Sequence, residues 1–194
     1  AGAGAFLRRA QNGPDFNNDG MADILWRNSL TGDDFIWMMQ GLGIIQSGAT
    51  NSVSPSYWAI AGTGDFNGDG VTDILWSNSA SGENAIWLMD RNNVFSSALI
   101  PSVTAGWNVV GVGDFDGDGK SDILWRFSDG TNAIWFMNGT SLASSAFTSG
   151  VPSSWSVAGI GDFNNDGKSD ILWREGASGN NAVEVIVRGH ARGL

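Results

Sequence analysis

Four acidic segments of nine residues constrain this chain more than anything else in it. Each reads Asp-Phe-(Asp/Asn)-x-Asp-Gly-x-x-Asp and runs directly into Ile-Leu-Trp: Asp15 to Asp23, Asp65 to Asp73, Asp114 to Asp122, and Asp162 to Asp170. Their starts lie 50, 49 and 48 residues apart. A period this regular over 194 residues means an array of like units, and repeats of this length decide the architecture before local propensity does.

The units read alike. Behind each acidic segment stands an apolar triplet: Ile24-Leu25-Trp26, Ile74-Leu75-Trp76, Ile123-Leu124-Trp125 and Ile171-Leu172-Trp173. Contiguous rather than alternating apolar residues predict a strand covered on both faces. A turn containing Gly32, Gly82, Gly130 or Gly179 follows and signals a hairpin. The next strand is predicted over 35–39, 85–89, 133–137 and 182–187, with a weaker outer segment after it, such as 94–100 or 141–148. A Ser/Pro/Gly turn then leads to Trp107-Asn108-Val109-Val110-Gly111 and its equivalents. About four short strands per ~48 residues, with no helical period, predict an all-β chain. The expected fold is a β-propeller of about four four-stranded blades, or half of a larger or dimeric propeller. The repeats divide one domain, 1–194, at about 1–50, 51–100, 101–149 and 150–194.

Both ends depart from the pattern. Trp58, Trp107 and Trp155 stand seven residues before the first loop Asp, where the first unit has Arg8. The glycine pairs Gly62/Gly64, Gly111/Gly113 and Gly159/Gly161 are replaced there by Asn12 and Pro14. The first unit has lost its opening strand or was cut through it. After Arg188 only Gly189 to Leu194 remain, so the fourth unit is expected to lack an outer strand, which residues 1–7 would supply to latch the ring. Ala1 to Ala5 is not a signal peptide, and the chain reads as a processed protein or an excised fragment.

The net charge of −10 is local. Thirteen of the 20 Asp and Glu lie in the four segments; elsewhere seven acids face ten Lys and Arg, a slightly basic +3. Four divalent cations would bring the total to −2. No basic stripe is left to receive nucleic acid. No apolar run approaches the roughly 20 residues that span a bilayer. Without Cys there are neither disulfides nor thiolate metal sites.

Hard cations such as Ca²⁺ take six to eight oxygens at about 2.3–2.6 Å. Side chains at positions 1, 3, 5 and 9 of each segment can converge to supply them, with the position 7 carbonyl between. The predicted ligands are Asp15, Asn17, Asp19 and Asp23; Asp65, Asn67, Asp69 and Asp73; Asp114, Asp116, Asp118 and Asp122; and Asp162, Asn164, Asp166 and Asp170. Gly at position 6 permits the left-handed turn that wraps the ion. Mg²⁺ demands tighter geometry and keeps its waters, so the expectation is Ca²⁺, about four ions, one per repeat. Asx turns would explain a single such segment equally well. Four copies, each with three or four mutually repelling carboxylates, favour metal.

Asp-Phe-Asn-Gly-Asp-Gly-x-x-Asp-Ile-Leu-Trp, preceded by Trp-x-(Ile/Val)-(Ala/Val)-Gly-x-Gly, resembles the FG-GAP/VCBS repeat over Asp15 to about Arg188. That repeat occurs in integrin α-subunit propellers and in secreted bacterial and fungal proteins, including propeller lectins. The resemblance implies a β-propeller with Ca²⁺ in the loop between the first two strands of each blade. Family propellers typically have seven blades. Four repeats therefore leave open a fragment, a small propeller, or a homodimer completing a larger one.

Little is available for catalysis. The single His, His190, lies in the tail, there is no Gly-x-Ser-x-Gly elbow, and Gly62-x-Gly64 precedes no helix start. Asp33, Asp34, Glu83, Asp90, Asp129, Glu175 and Glu184 show no evident pairing. The chain is expected not to be an enzyme. Trp26, Trp76, Trp125 and Trp173 are expected in the core. Trp37, Trp87 and Trp135 on the third strand, and Trp58, Trp107 and Trp155 at the start of the inner one, read as blade-to-blade packing. Alternatively they are ligand-binding indole faces on which sugar rings stack, with avidity from several weak sites on one rigid disc. Arg27, Arg126 and Arg174 are expected at solvated strand ends or against the loop carboxylates. The functional expectation is a calcium-stabilised, lectin-like binding module, secreted or extracellular, for a glycan or extracellular protein. The alternatives are a structural or adhesive protein-interaction repeat, and an accessory or catalytic domain of a secreted polysaccharide-degrading enzyme.

Overall fold

The computed structural model describes residues 13–187 and the backbone of 190–192. Within them the chain forms four antiparallel sheets and no helix. The first sheet holds β1 (Ile24–Arg27), β2 (Asp34–Gln40) and β3 (Gly43–Ala49). The second holds β4 (Trp58–Gly64), β5 (Asp73–Asn78), β6 (Asn84–Asp90) and β7 (Asn93–Ile100). The third holds β8 (Trp107–Gly113), β9 (Asp122–Phe127), β10 (Asn132–Asn138) and β11 (Ser141–Phe147). The fourth holds β12 (Trp155–Gly161), β13 (Asp170–Glu175), β14 (Asn181–Val187) and β15 (His190–Arg192). Each sheet is a meander in chain order, and in the last three sheets the acidic segment joins the first strand to the second.

The fourth sheet corrects the sequence reading of its edge. The tail itself supplies the outer strand, with Val185 opposite Arg192 and Val187 opposite His190. The expected latch by residues 1–7 lies outside the described residues, as does Arg8.

The glycine pairs mark where neighbouring units touch. β8 packs between β4 and β12. A Cβ on Gly62 would meet Val112 Cγ2 at 2.6 Å, and one on Gly111 would meet Ile160 Cγ1 at 2.9 Å, so only glycine lets these strands approach. The same strands carry a bulge after Ile60, Val109 and Val157, which offsets the pairing with the next strand by one residue.

The core is divided into three clusters, one between each pair of consecutive sheets, and the clusters repeat one recipe. The earlier sheet contributes the loop Phe and an Ile of its third strand; the later sheet contributes the Ile and Trp of its triplet. Phe16 and Ile36 meet Ile74 and Trp76; Phe66 and Ile86 meet Ile123 and Trp125; Phe115 and Ile134 meet Ile171 and Trp173. The middle residue of the triplet, as in Leu75 and Leu124, points the other way, into the following junction. This is why the triplets are apolar throughout.

Among the described residues, each of the two end sheets has one neighbouring sheet. Trp26, expected in the core, is 48% exposed, because the residue type that fills the junction with a preceding sheet has none here among the described residues. Phe163 is 51% exposed, whereas Phe16, Phe66 and Phe115 are fully buried.

Candidate functional site

Each acidic segment folds around its own first Asp. Asp114 Oδ1 accepts from the N–H groups of Gly117 (2.7 Å) and Asp118 (3.1 Å), and Oδ2 accepts from Gly119 (2.9 Å). Asp65 repeats this with Gly68, Asp69 and Gly70, while Asp15 and Asp162 hold the position 5 and 6 N–H groups. The position 5 carboxylate accepts the position 7 N–H, as Asp118 does from Lys120 at 2.8 Å. Gly119 has φ +88°, and the other position 6 glycines are likewise left-handed, which closes the turn.

The ninth residue is a buried clasp. Asp122 Oδ2 accepts from Phe115 N–H and Oδ1 from Met137 N–H, both at 2.9 Å, so one carboxylate ties the segment to the third strand of its sheet. Asp23 does the same with Phe16 and Met39, Asp73 with Phe66 and Met89, and Asp170 with Phe163 and Ile186. Burial pushes the carboxyls of Asp73 and Asp122 up to about 7, against the opposing pull of these N–H donors. Burial also leads the upward shifts of Asp23 and Asp114. Asp162, on the uncovered last segment, is shifted down, chiefly by the Gly167 N–H.

In the third segment one carboxylate oxygen each from Asp114, Asp116 and Asp122 lies within 4.8 Å of the others. Oxygens sharing one Ca²⁺ at about 2.3–2.6 Å are separated by no more than about 5.2 Å, so this set fits a hard divalent cation. The other segments have Asn at position 3, and Asn17, Asn67 and Asn164 each direct Nδ2 to the position 5 carboxylate.

The segments also join one another. Thr72 N–H donates to Asp15 O, Ser121 to Asp65 O and Ser169 to Asp114 O. Lys168 Nζ donates to the carbonyl of Asp116 in the preceding unit, and Lys120 Nζ pairs at 2.8 Å with Asp118 in its own. The four segments thus form a continuous acidic rim. The donors are main-chain N–H groups, which carry no sequence signature; at Thr72 the hydroxyl also accepts the Asp15 N–H at 2.7 Å.

The six aromatic candidates, Trp37, Trp87, Trp135, Trp58, Trp107 and Trp155, are all half-buried. Trp37, Trp87 and Trp135 each pair at 5.0 Å with the triplet Trp of their own sheet. Two of the six come together. Trp107 and Trp135 line a cavity of about 280 Å³ with Phe147, Ser102, Thr104 and Ser145. In the fourth unit Glu184 replaces the third-strand Trp; it is fully buried and accepts Trp173 Nε1–H at 2.8 Å.

Arg174 is exposed near the end of its strand, as expected, but Arg27 and Arg126 do neither of the things expected of them. Arg27 crosses to the second sheet, lies 4.7 Å over Trp76, and donates to Asp34, Val53 O and Trp58 O. Arg126 does the same one junction on, 4.9 Å over Trp173, with Asn132, Val151 O and Trp155 O. They rivet consecutive sheets and leave the acidic rim alone.

An all-β array of hairpin-rich units, each closed by an Asp-rich turn at a fixed place in the sheet, is the class of protein these observations define. The FG-GAP-like repeat profile matches residues 15–76, 65–125 and 114–173, and the chain belongs to that family. Among curated proteins none matches the sequence. The Photorhabdus luminescens Tc holotoxin pore is similar at 14% identity and a TM-score of 0.43, over 97% of this chain and 12% of that one. The V. cholerae biofilm matrix protein Bap1 is similar at 18% identity and a TM-score of 0.36, over 82% of this chain and 26% of that one. This chain therefore spans a small part of either. No helix among the described residues is long and apolar enough to cross a membrane.

Proposed function

We propose that this chain is a calcium-stabilised, non-catalytic β-propeller module that binds a glycan or another extracellular ligand. The observation that carries the calcium reading is the oxygen cluster of Asp114, Asp116 and Asp122 on a rim where the same turn occurs four times. Asp116 and Asp118 face solvent enough to exchange a ligand, while Asp122 anchors the site to the sheet. A cation there would neutralise carboxylates that burial disfavours as anions. The propeller reading rests on three junctions built to one recipe and on inner strands lying side by side.

The non-catalytic reading is supported by local duties of most acids outside the rim. Asp34 holds Arg27, Glu184 holds Trp173, Asp33 accepts from Ser52, Glu83 from Ser81, and Asp129 from Thr131. The cavity between Trp107 and Trp135 supports a carbohydrate ligand, since it offers indole and phenyl faces beside three hydroxyls. Secretion fits a fold that draws on extracellular calcium.

The metal is tested by melting the protein in calcium and in EDTA. An ion held only by the folded state stabilises it by about 2.7 kcal/mol per site at a hundredfold excess over Kd, so EDTA should lower Tm by several degrees; an unchanged curve would refute calcium. The ligand is tested on a glycan array with and without EDTA. Binding in calcium is expected, and its absence would remove the lectin reading.

A second reading, a structural or adhesive repeat that assembles with another copy, is favoured by the open end faces. Ile24, Trp26 and Phe35 on the first sheet, and Phe163 and Val183 on the fourth, are exposed halves of the junction that repeats inside the chain. A homodimer would complete a larger ring by joining them.

A further inference from the structure

We propose that the junction between the second and third sheets contains a receptor for a guanidinium group, formed where Ser77 takes the place of an arginine. Three observations meet there.

The first is the repeat register. Arg27 stands opposite Asp34, Arg126 opposite Asn132 and Arg174 opposite Asn181; in the second sheet the same pair is Ser77 and Asn84. At the two flanking junctions the arginine occupies a defined slot. Its guanidinium lies over the indole of the next sheet and donates to the facing Asp or Asn and to carbonyls of the crossing chain, two for Arg27 and three, including Pro152 O, for Arg126. The crossing chain runs the same way at all three junctions, with Val53, Val103 and Val151 donating to Gly32, Gly82 and Gly130. Val103 O and Trp107 O are thus the counterparts of the arginine-bound carbonyls, and Trp125 is the counterpart indole.

The second is an orphan acceptor. Asn84 is fully buried, and its Oδ1 has no hydrogen-bond partner, whereas Asn132 Oδ1 receives Arg126 at 2.8 Å. A buried unpaired acceptor costs free energy that a donor from outside would recover. Ser77 is too short to replace a guanidinium that reaches across the gap.

The third is space. A cavity of about 280 Å³ lies beside the slot: Ser77 and Asn84 are not in its wall, but Val103, Trp107 and Trp125, the counterparts of the residues that hold Arg126, are, and it reaches solvent past Thr104 and Phe147, the latter 70% exposed. A planar cation entering it meets an indole face and a row of acceptors, the combination that suits guanidinium better than ammonium. The group can arrive on a small molecule or as the arginine of a peptide. The glycan proposal concerns the hydroxyls of the cavity; the guanidinium seat is placed by the repeat register, against its Val103, Trp107 and Trp125 wall, and stands without that proposal.

Tryptophan fluorescence and calorimetry with methylguanidinium, methylammonium and the peptides Gly-Arg-Gly and Gly-Lys-Gly test the assignment. Saturable binding of methylguanidinium, at least about tenfold tighter than methylammonium, is expected. Binding of Gly-Arg-Gly as well identifies peptide arginine as a source, and its exclusion leaves the small cation. Ser77→Arg should fill the slot from within, raise Tm and abolish binding. Asn84→Asp, which copies the first unit, should tighten binding of methylguanidinium by about tenfold. No saturable guanidinium binding by the wild-type chain overturns the proposal, as does unchanged affinity in Asn84→Asp or retained affinity in a folded Ser77→Arg protein.

Discussion

Asp122 shows how one carboxylate serves two purposes. Its oxygens accept two buried N–H groups, from Phe115 and Met137, and also stand in the oxygen cluster with Asp114 and Asp116. The two roles separate experimentally. In EDTA, Asp122→Ala is expected to cost about 2–4 kcal/mol in denaturant unfolding, because two buried donors lose their partners. Asp118→Ala, on an exposed residue, should cost little in EDTA and show its effect only in calcium. Equal losses for both variants in EDTA would contradict the clasp. The acids themselves were legible from spacing. The clasp was not, since the N–H of Met137 is fifteen residues away and reaches Asp122 only through strand register. Likewise Arg27 and Arg126 gave no sign in the sequence that they cross to the next sheet, because the partner carbonyls carry no residue identity.

At the level of strands, the sequence reading located the triplets, the hairpins and the inner strands, because apolar runs and glycines report local geometry directly. It missed β15, where three residues with no strand signature pair because β14 offers an edge. It also expected Trp26 to be buried like its equivalents, and burial depends on a neighbouring unit that the periodicity of one strand does not reveal. The glycine pairs supply a test of that neighbour effect. Gly111→Ala would place a Cβ 2.9 Å from Ile160 Cγ1, and a loss of about 1–3 kcal/mol is expected from overpacking. Gly159 is the same position in the fourth unit, where the nearest atom is Leu172 Cδ2 at 3.9 Å. Gly159→Ala should therefore be close to neutral by thermal melting. An equal penalty at both positions would mean that another surface lies against the fourth sheet.

At the scale of the molecule, the buried core of the described residues is divided over three similar junctions, so that stability is expected to build up junction by junction. The two exposed end faces are unlike each other: one presents Trp26 and Ile24, the other Phe163 and Val183. Sedimentation at increasing concentration is expected to show association, and substituting Phe163→Ser or Trp26→Ser alone should abolish it. A wild-type chain that sediments as a monomer throughout would exclude joining through these faces. Unlike surfaces also impose a polarity that a two-fold contact lacks, since copies can add in one direction only. The turn between successive sheets then selects the product. If it divides the circle, mass stops rising at a fixed number of chains; if it does not, the same contact has no last member, and growth ends only when free chain runs out.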